Sequence, residues 1–158
     1  MSLDIEAYLL QVAVAVAARS TCRRKVGCVL ADVKGKILAT GYNGPPSGVK
    51  HCSERGCDHD TCDNGHGGPG CKRSVIPYHC DAVHAEANAL IQCKDTDAVY
   101  YVAITRAPCL DCTKLLLNSG ATRVVYSESS SYPRSEQYFI AARYNKNIIA
   151  AWHRISND

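Results

Sequence analysis

The sequence lacks an apolar run long enough to cross a membrane, and it lacks a strong net charge. Residues 12–18 are apolar, but a membrane-spanning helix needs roughly 20 such residues. The formal net charge of +3 at pH 7 is small for 158 residues. No long basic stripe alternates with aromatic side chains, as binding of single-stranded nucleic acid favours. We therefore expect neither a membrane nor a nucleic-acid polymer as a partner.

The chain also lacks the basic start of a secretory signal. Asp4 and Glu6 stand where a signal peptide would carry positive charge. Ten cysteines are many for a chain of this length, so the compartment decides their chemistry. Cytosolic thiols stay reduced. We expect a cytoplasmic protein whose cysteines are available for metal rather than for disulfides.

Two short motifs hold the residues with the clearest chemistry. One is H-A-E, which begins at His84, and the other is P-C-L-D-C, which ends at Cys112. A catalytic zinc takes three protein ligands and leaves a fourth position for water, and His84, Cys109 and Cys112 would be those ligands. Glu86 can handle protons for that water without binding the metal. H-x-E followed by P-C-x-x-C is the signature of zinc nucleobase deaminases.

Each motif alone has a simpler interpretation. A C-x-x-C pair can be a redox pair or half of a structural zinc knuckle, and H-A-E can be a helix surface. The two motifs in this order, with Pro108 before the first cysteine, favour the catalytic site. A metal-stabilised binding module without turnover is the alternative from another class, and it has no need of an unliganded Glu86.

The pattern along the chain predicts a single domain over residues 1–158. Residues 3–19 predict a helix, because apolar residues recur at helical spacing. Residues 26–31 and 36–40 predict an antiparallel hairpin, and residues 41–48 predict a loop rich in Gly and Pro.

The second half of the chain predicts alternating helices and strands. The apolar run 98–104 predicts a strand buried on both faces, and Gly120 is placed as a helix terminator. The other predicted elements are helices over 84–92, 110–118 and 135–145 and strands over 123–126 and 147–152. This order predicts a three-layer α/β/α fold around a central mixed five-stranded sheet.

The segment from about residue 49 to residue 80 is polar and rich in Cys, His and Gly. Such a segment cannot form a hydrophobic core, but a second, structural zinc would supply folding energy. The alternative is a partly disordered insert with free thiols. The spacings fit several ligand sets. One of these sets is His51, Cys52, Cys57 and Cys80.

A basic loop over residues 19–25 offers arginines and hydroxyl groups that suit a phosphate monoester. The common alternative for such a cluster is a solvated charge run. Arg23 and Arg24 are both candidates for the phosphate contact. Arg134 is a further candidate, with Tyr132 beside it able to stack or hydrogen-bond, and its alternative is a surface residue at a helix start.

With these pieces placed, the sequence resembles the deoxycytidylate deaminases of the cytidine deaminase superfamily. The resemblance covers nearly the whole chain. It rests on S-T-C at 20–22, V-G at 26–27, G-Y-N-G at 41–44, H-C at 51–52 and H-C at 79–80 before the V-H-A-E run.

The resemblance implies a cytidine-deaminase-like fold and zinc-dependent hydrolytic deamination of dCMP to dUMP and ammonia, which feeds thymidylate synthesis. It implies Glu86 as the catalytic residue, and Asn43 and Ala85 as substrate contacts. The same zinc motif also serves deaminases that act on tRNA or single-stranded DNA, which are the alternative within this chemistry.

The resemblance further implies regulation and assembly. Many members are hexamers that dCTP with Mg²⁺ activates and dTTP inhibits, so a homo-oligomer is expected. The loop that contains Gly44, Pro46 and Gly48 would hold the effector nucleotide.

Overall fold

The computed structural model describes residues 2–51, 81–130 and 134–156. Across these ranges, every helix is too short or too polar to serve as a membrane span. The elements in chain order are α1 (Ile5–Ala17), β1 (Gly27–Ala31), β2 (Ile37–Tyr42), α2 (Ala85–Gln92), β3 (Tyr101–Arg106), α3 (Leu110–Leu117), β4 (Arg123–Glu128), α4 (Arg134–Tyr144) and β5 (Ala151–Arg154).

The strands form a five-stranded sheet in the order β2-β1-β3-β4-β5. Strand β1 is antiparallel to both β2 and β3, whereas β3, β4 and β5 run parallel. The connection from β3 through α3 to β4 is a β-α-β unit, as parallel neighbours require. The predicted mixed sheet is therefore confirmed.

Helices cover both faces of the sheet, so the predicted three-layer α/β/α fold is also confirmed. On one face α1 packs through Leu9 and Leu10, which are fully buried. On the other face α2, α3 and α4 pack through Ala89, Leu116 and Phe139. The helices cover apolar strand faces that would otherwise meet water.

Strand β3 is buried on both faces. Val102 and Ile104 belong to the core beneath α2, α3 and α4, while Ala103 belongs to the core beneath α1. Successive side chains of a strand point to opposite faces, so a nearly continuous apolar run is what this central position demands.

Helix α1 is also tied to the far side of the sheet by one carboxylate. Glu6 accepts a hydrogen bond of 2.7 Å from Arg123 Nε on β4 and contacts His153 Nε2 on β5 at 2.8 Å. The Glu6 side chain is mostly buried, so water weakens these contacts less than it would at the surface.

Three predicted boundaries were wrong. Strand β2 runs through Gly41 and Tyr42, which pair with β1, so the loop predicted over 41–48 begins later. Strand β3 begins three residues after the predicted 98–104, although Val99 is still buried in the core. Strand β5 begins four residues after the start of the predicted 147–152 and overlaps it at residues 151 and 152, and before the strand Ile149 is 97% exposed.

The predicted role of Gly120 as a helix terminator was wrong too. Helix α3 ends at Leu117 with Asn118 as its cap, and the positive-φ glycines of the described ranges are Gly35 and Gly48. A Cβ atom at Gly120 would lie 2.2 Å from the Asp97 carbonyl oxygen. Glycine is required there because two backbone segments approach closely.

Candidate active site

His84, Cys109 and Cys112 come together where two helices begin. His84 is the N-cap residue of α2, Cys109 is the N-cap residue of α3, and Cys112 lies in the first turn of α3. Their possible ligand atoms all lie within 4.8 Å of one another. Both cysteines are buried and His84 is half-buried, so the cluster has limited access to water.

The spacing of these three donors fits zinc. His84 Nδ1 lies 3.5 Å from Cys109 Sγ and 3.3 Å from Cys112 Sγ. A tetrahedral zinc with ordinary Zn–N and Zn–S bonds separates the nitrogen and sulfur donors by about 3.6 Å. One imidazole and two thiols supply three ligands, and a catalytic zinc keeps its fourth position open.

The two thiols are joined by a hydrogen bond that lowers the pKa of one thiol and raises the pKa of the other. A hydrogen bond from Cys112 and contacts with His84 hold the pKa of the Cys109 thiol below its usual range, although burial opposes the shift. The pKa of Cys112 is raised, because its proton is held by the hydrogen bond to Cys109 and its surroundings are buried. The pair gives up one proton readily, and binding of a divalent cation releases the other.

Glu86 is the carboxylic acid of this cluster. It lies in the first turn of α2 and is 4% exposed. Burial raises the pKa of the Glu86 carboxyl from 4.5 to about 7, against the opposing effects of a backbone hydrogen bond and of His84. A carboxyl group with a pKa near neutrality can both accept and donate a proton.

The segment that precedes α2 is fastened to the end of β2. Gly44 and Val83 exchange two backbone hydrogen bonds, of 3.2 and 2.7 Å, and Asn88 Nδ2 donates to the Tyr42 carbonyl oxygen at 2.8 Å. These bonds hold the start of α2 against the sheet. They therefore position both His84 and Glu86.

Asn43 is almost fully buried and holds the basic loop in place. Its Oδ1 accepts hydrogen bonds of 2.8 Å from Val26 N and from Ser20 Oγ. Its Nδ2 donates to the Arg24 carbonyl oxygen at 2.8 Å. The predicted nucleotide contact of Asn43 stays a prediction. Its contacts with the loop are a further role that composition alone does not reveal.

A cavity of about 460 Å³ opens beside the basic loop, at the carboxyl ends of β3 and β4. Arg23 and Arg24 line it, as a phosphate site over this loop would require. Arg106, which was not among the predicted site residues, lines the same cavity. A signal was available, because ligands in α/β sheets bind at the carboxyl ends of parallel strands. The remaining lining residues are Lys25, Val26, Glu128 and Ser129.

Two other predicted sets are only partly described. Arg134 is exposed at the start of α4 and does not line the 460 Å³ cavity, and Tyr132 lies outside the described residues. His51 Nδ1 contacts Thr21 Oγ1. The other proposed ligands of a second metal, Cys52, Cys57 and Cys80, lie outside the described residues, so this set stays a prediction.

A second cavity, of about 450 Å³, adjoins the predicted effector loop. Gly44 lines it together with Arg19 and Tyr42. Gly48, further along the loop, has a positive φ of 83°. Polar and basic groups are therefore available here, and the effector role stays a prediction.

Fold and site together are those of a zinc-dependent nucleobase deaminase. The model of the family described as "Cytidine and deoxycytidylate deaminase zinc-binding region" matches residues 3–128. The chain belongs to this family, so the predicted family and the predicted hydrolytic deaminase class are confirmed.

The similar proteins include phage and cellular enzymes. The deoxycytidylate deaminase of Mycobacterium phage D29 is 41% identical over 132 residues, which cover 80% of this chain and 97% of the phage protein. That of Saccharomyces cerevisiae is 34% identical over 139 residues, which cover 85% of this chain but 40% of the yeast protein. The dCMP deaminase of cyanophage S-TIM5, solved with dCMP and dUMP, has a TM-score of 0.72 at 24% identity, covering 98% of this chain and 99% of that one. This last likeness supports the fold.

Proposed function

We propose that this protein hydrolyses dCMP to dUMP and ammonia. The observation that carries the proposal is the clustering of His84, Cys109 and Cys112 beside the buried Glu86. The 41% identity to a phage deoxycytidylate deaminase along 97% of its length supports dCMP as the substrate. The cavity lined by cations supports a substrate that carries a phosphate.

His84, Cys109 and Cys112 would hold the zinc. Zinc held there would lower the pKa of a bound water molecule toward neutrality, which would make this water available as the nucleophile for C4 of the cytosine ring. Glu86 accepts the proton of this water and delivers it to N3 of the ring. It then takes the proton of the hydroxyl group added at C4 and returns it to the departing amine, so that one water and one dCMP become dUMP and ammonia.

The remaining substrate contacts are proposed from the family resemblance and from the charge of the basic loop. The 5′-phosphate would bind in the cationic cavity, where Arg23 and Arg24 both stay candidates. Ala85, which directly follows His84, and Asn43 would contact the base or the sugar. Tyr132 and Arg134 stay candidates for further substrate contacts.

We further propose how the enzyme is regulated and assembled. The effector nucleotide would bind at the loop containing Gly44, Pro46 and Gly48, with dCTP and Mg²⁺ activating and dTTP inhibiting. The 450 Å³ cavity beside Gly44 supports this location. The active assembly would be a homo-oligomer, a hexamer by the family resemblance, and a second zinc would stabilise the segment from about 49 to 80.

The test is deamination of dCMP, deoxycytidine and dCTP side by side, followed by absorbance, with and without dCTP plus Mg²⁺ as effector. The proposal expects turnover of dCMP well above that of deoxycytidine, with activation by the effector. Turnover of dCMP without activation would support deamination of dCMP and contradict the proposed activation by dCTP with Mg²⁺. No turnover of any of the three by zinc-loaded protein would contradict the proposal and favour a polymer substrate or a binding module.

A further inference from the structure

We propose that Arg106 is a specificity-determining residue that binds the 5′-phosphate and makes the site discriminate a nucleotide from a nucleoside. The inference rests on the proposed function, because it assigns a ligand for the phosphate of that same substrate. It adds a strand residue to a phosphate site for which the sequence pattern offered the basic loop and Arg134.

Arg106 occupies a position that links the cavity to the metal cluster. It is the last residue of β3, and Cys109 follows three residues later in the chain. Its register partner on the parallel strand β4 is Glu128, which also lines the cavity. The cavity therefore lies at the end of the sheet where β3 leads into the segment that carries Cys109.

The antiparallel pairing of β1 with β3 brings the basic loop to the same end of the sheet. Cys28 pairs with Ile104, and Gly27 N donates to Thr105 Oγ1 at 3.2 Å. The residues just before Gly27 are thereby carried alongside Arg106. This explains why Arg23, Arg24 and Lys25 line one cavity with a residue about 80 positions away in the chain.

The guanidinium of Arg106 has no protein partner among the residues that the structure describes. It is partly buried, and neither a hydrogen bond nor an ion pair joins it to Glu128 or to another described residue. Arg123, Arg143 and Arg154, by contrast, all donate to oxygen atoms. A partly buried guanidinium without an acceptor is unfavourable, and a bound phosphate would supply acceptors in the bidentate geometry that arginine favours.

The charge balance of the cavity also fits an anion. Arg23, Arg24, Lys25 and Arg106 contribute positive charge, and among the described residues of the lining Glu128 is the acidic side chain. A concave site with an excess of one sign concentrates ligands of the opposite sign. A phosphate monoester carries close to two negative charges at neutral pH.

Arg106 differs from the loop arginines in how it is held. It extends from a strand that pairs on both sides, with β1 and with β4, whereas Arg23 and Arg24 are exposed on a loop. A cation held by a rigid element loses less conformational entropy on binding. Arg106 should therefore contribute a large share of the discrimination between dCMP and deoxycytidine.

The experiment compares Arg106→Gln with wild type on dCMP and on deoxycytidine. The expected result is a fall in kcat/KM for dCMP of about 10- to 100-fold, the worth of a charged hydrogen bond, with most of the change in KM. Turnover of deoxycytidine, which has no phosphate, stays within about twofold under the same reasoning. Arg106→Lys should restore part of the dCMP activity, because it keeps the charge but not the bidentate geometry.

Two further measurements separate phosphate binding from a structural role. Glu128→Gln removes the opposing charge and should lower KM for dCMP while leaving deoxycytidine unchanged. Inorganic phosphate should inhibit dCMP turnover competitively in wild type and more weakly in Arg106→Gln. Lys146→Gln, which removes an exposed positive charge after α4, is the matched control and should behave as wild type.

The outcomes distinguish this inference from the proposed function. Equal losses on dCMP and deoxycytidine in Arg106→Gln would overturn the inference and assign Arg106 a structural role. Unchanged dCMP kinetics in that variant would also overturn it, with the proposed function intact. Absence of dCMP turnover in wild type would instead contradict the proposed function itself.

Discussion

Gly41 on β2 lies directly against the backbone of Ala89 on α2. A Cβ atom added at Gly41 would lie 2.3 Å from the Ala89 nitrogen and 2.4 Å from the Ala85 carbonyl oxygen. Helix α2 can approach the sheet this closely only because Gly41 has no side chain. The distance of His84 and Glu86 from the rest of the site depends on this contact, since both lie at the start of α2.

Gly41→Ala should therefore damage both stability and activity. Real Cβ atoms do not approach backbone this closely, so α2 must move away, at a cost of about 2 kcal/mol or more in the free energy of unfolding. Urea unfolding and kcat per folded molecule measure the two effects. Gly27→Ala is the matched control, because its Cβ would overlap Ala13 of α1 instead. The idea fails if both variants lose stability but Gly41→Ala keeps full kcat.

Asn43→Ala should loosen the basic loop. The change leaves the Val26 N–H and the Arg24 carbonyl without their partner, which should reduce the free energy of unfolding by about 2–4 kcal/mol. Because Arg23 and Arg24 then lose their fixed position, KM for dCMP should rise. Asn118→Ala, at an exposed helix cap, supplies the matched control with little effect on either quantity. An unchanged KM in folded Asn43→Ala protein would refute the role of Asn43 in holding the loop.

Metal analysis should find two zinc ions per chain in wild type and one in Cys109→Ser. The replaced thiol belongs to the cluster with His84 and Cys112, whereas the second ion would be held by residues of the segment from about 49 to 80. A chelator should abolish turnover, and added zinc should restore it in wild type only. One zinc in wild type and none in Cys109→Ser would remove the second metal from the account.

Cys28 should make the protein less stable at alkaline pH. It is fully buried on β1, and burial, with a smaller effect of Glu86, raises its pKa well above the usual value. The folded state thus keeps the thiol proton while the unfolded state loses it above about pH 8.5. The contribution to stability is complete below that pH and falls by up to about 1.4 kcal/mol per pH unit above it. Cys28→Ala should show a shallower loss of stability between pH 7.5 and pH 10 in reduced protein, and equal slopes would contradict the assignment.

The metal-ligand cluster was predictable because its signal is local. The histidine and glutamate lie two residues apart, the cysteines lie three apart, and each pair starts a helix. The helices were predictable for a similar reason, because the spacing of apolar residues within one segment indicates the buried face of a helix. The mixed sheet followed from the order of these elements.

The rest depended on contacts between distant segments. In the sequence Arg106 is an ordinary residue at the end of a strand. Its position beside residues 23–25 becomes visible only in the fold, where β1 brings them together. Ile149 has an apolar side chain typical of a core residue, yet it is 97% exposed, so the predicted last strand began too early. Gly120 follows a helix, as a terminator would. Glycine is needed there, however, because the Asp97 carbonyl oxygen on another segment lies too close for a side chain.

The role of Glu86 is tested by Glu86→Gln, assayed for zinc content and for dCMP turnover in the same preparation. The amide keeps the shape of the side chain but cannot accept and return the proton, so we expect wild-type zinc at the cluster with kcat lower by about a thousandfold or more. Substantial turnover by zinc-loaded Glu86→Gln protein would contradict the assignment of Glu86. Loss of zinc from this variant would mean that the glutamate belongs to the metal site rather than to the proton transfer.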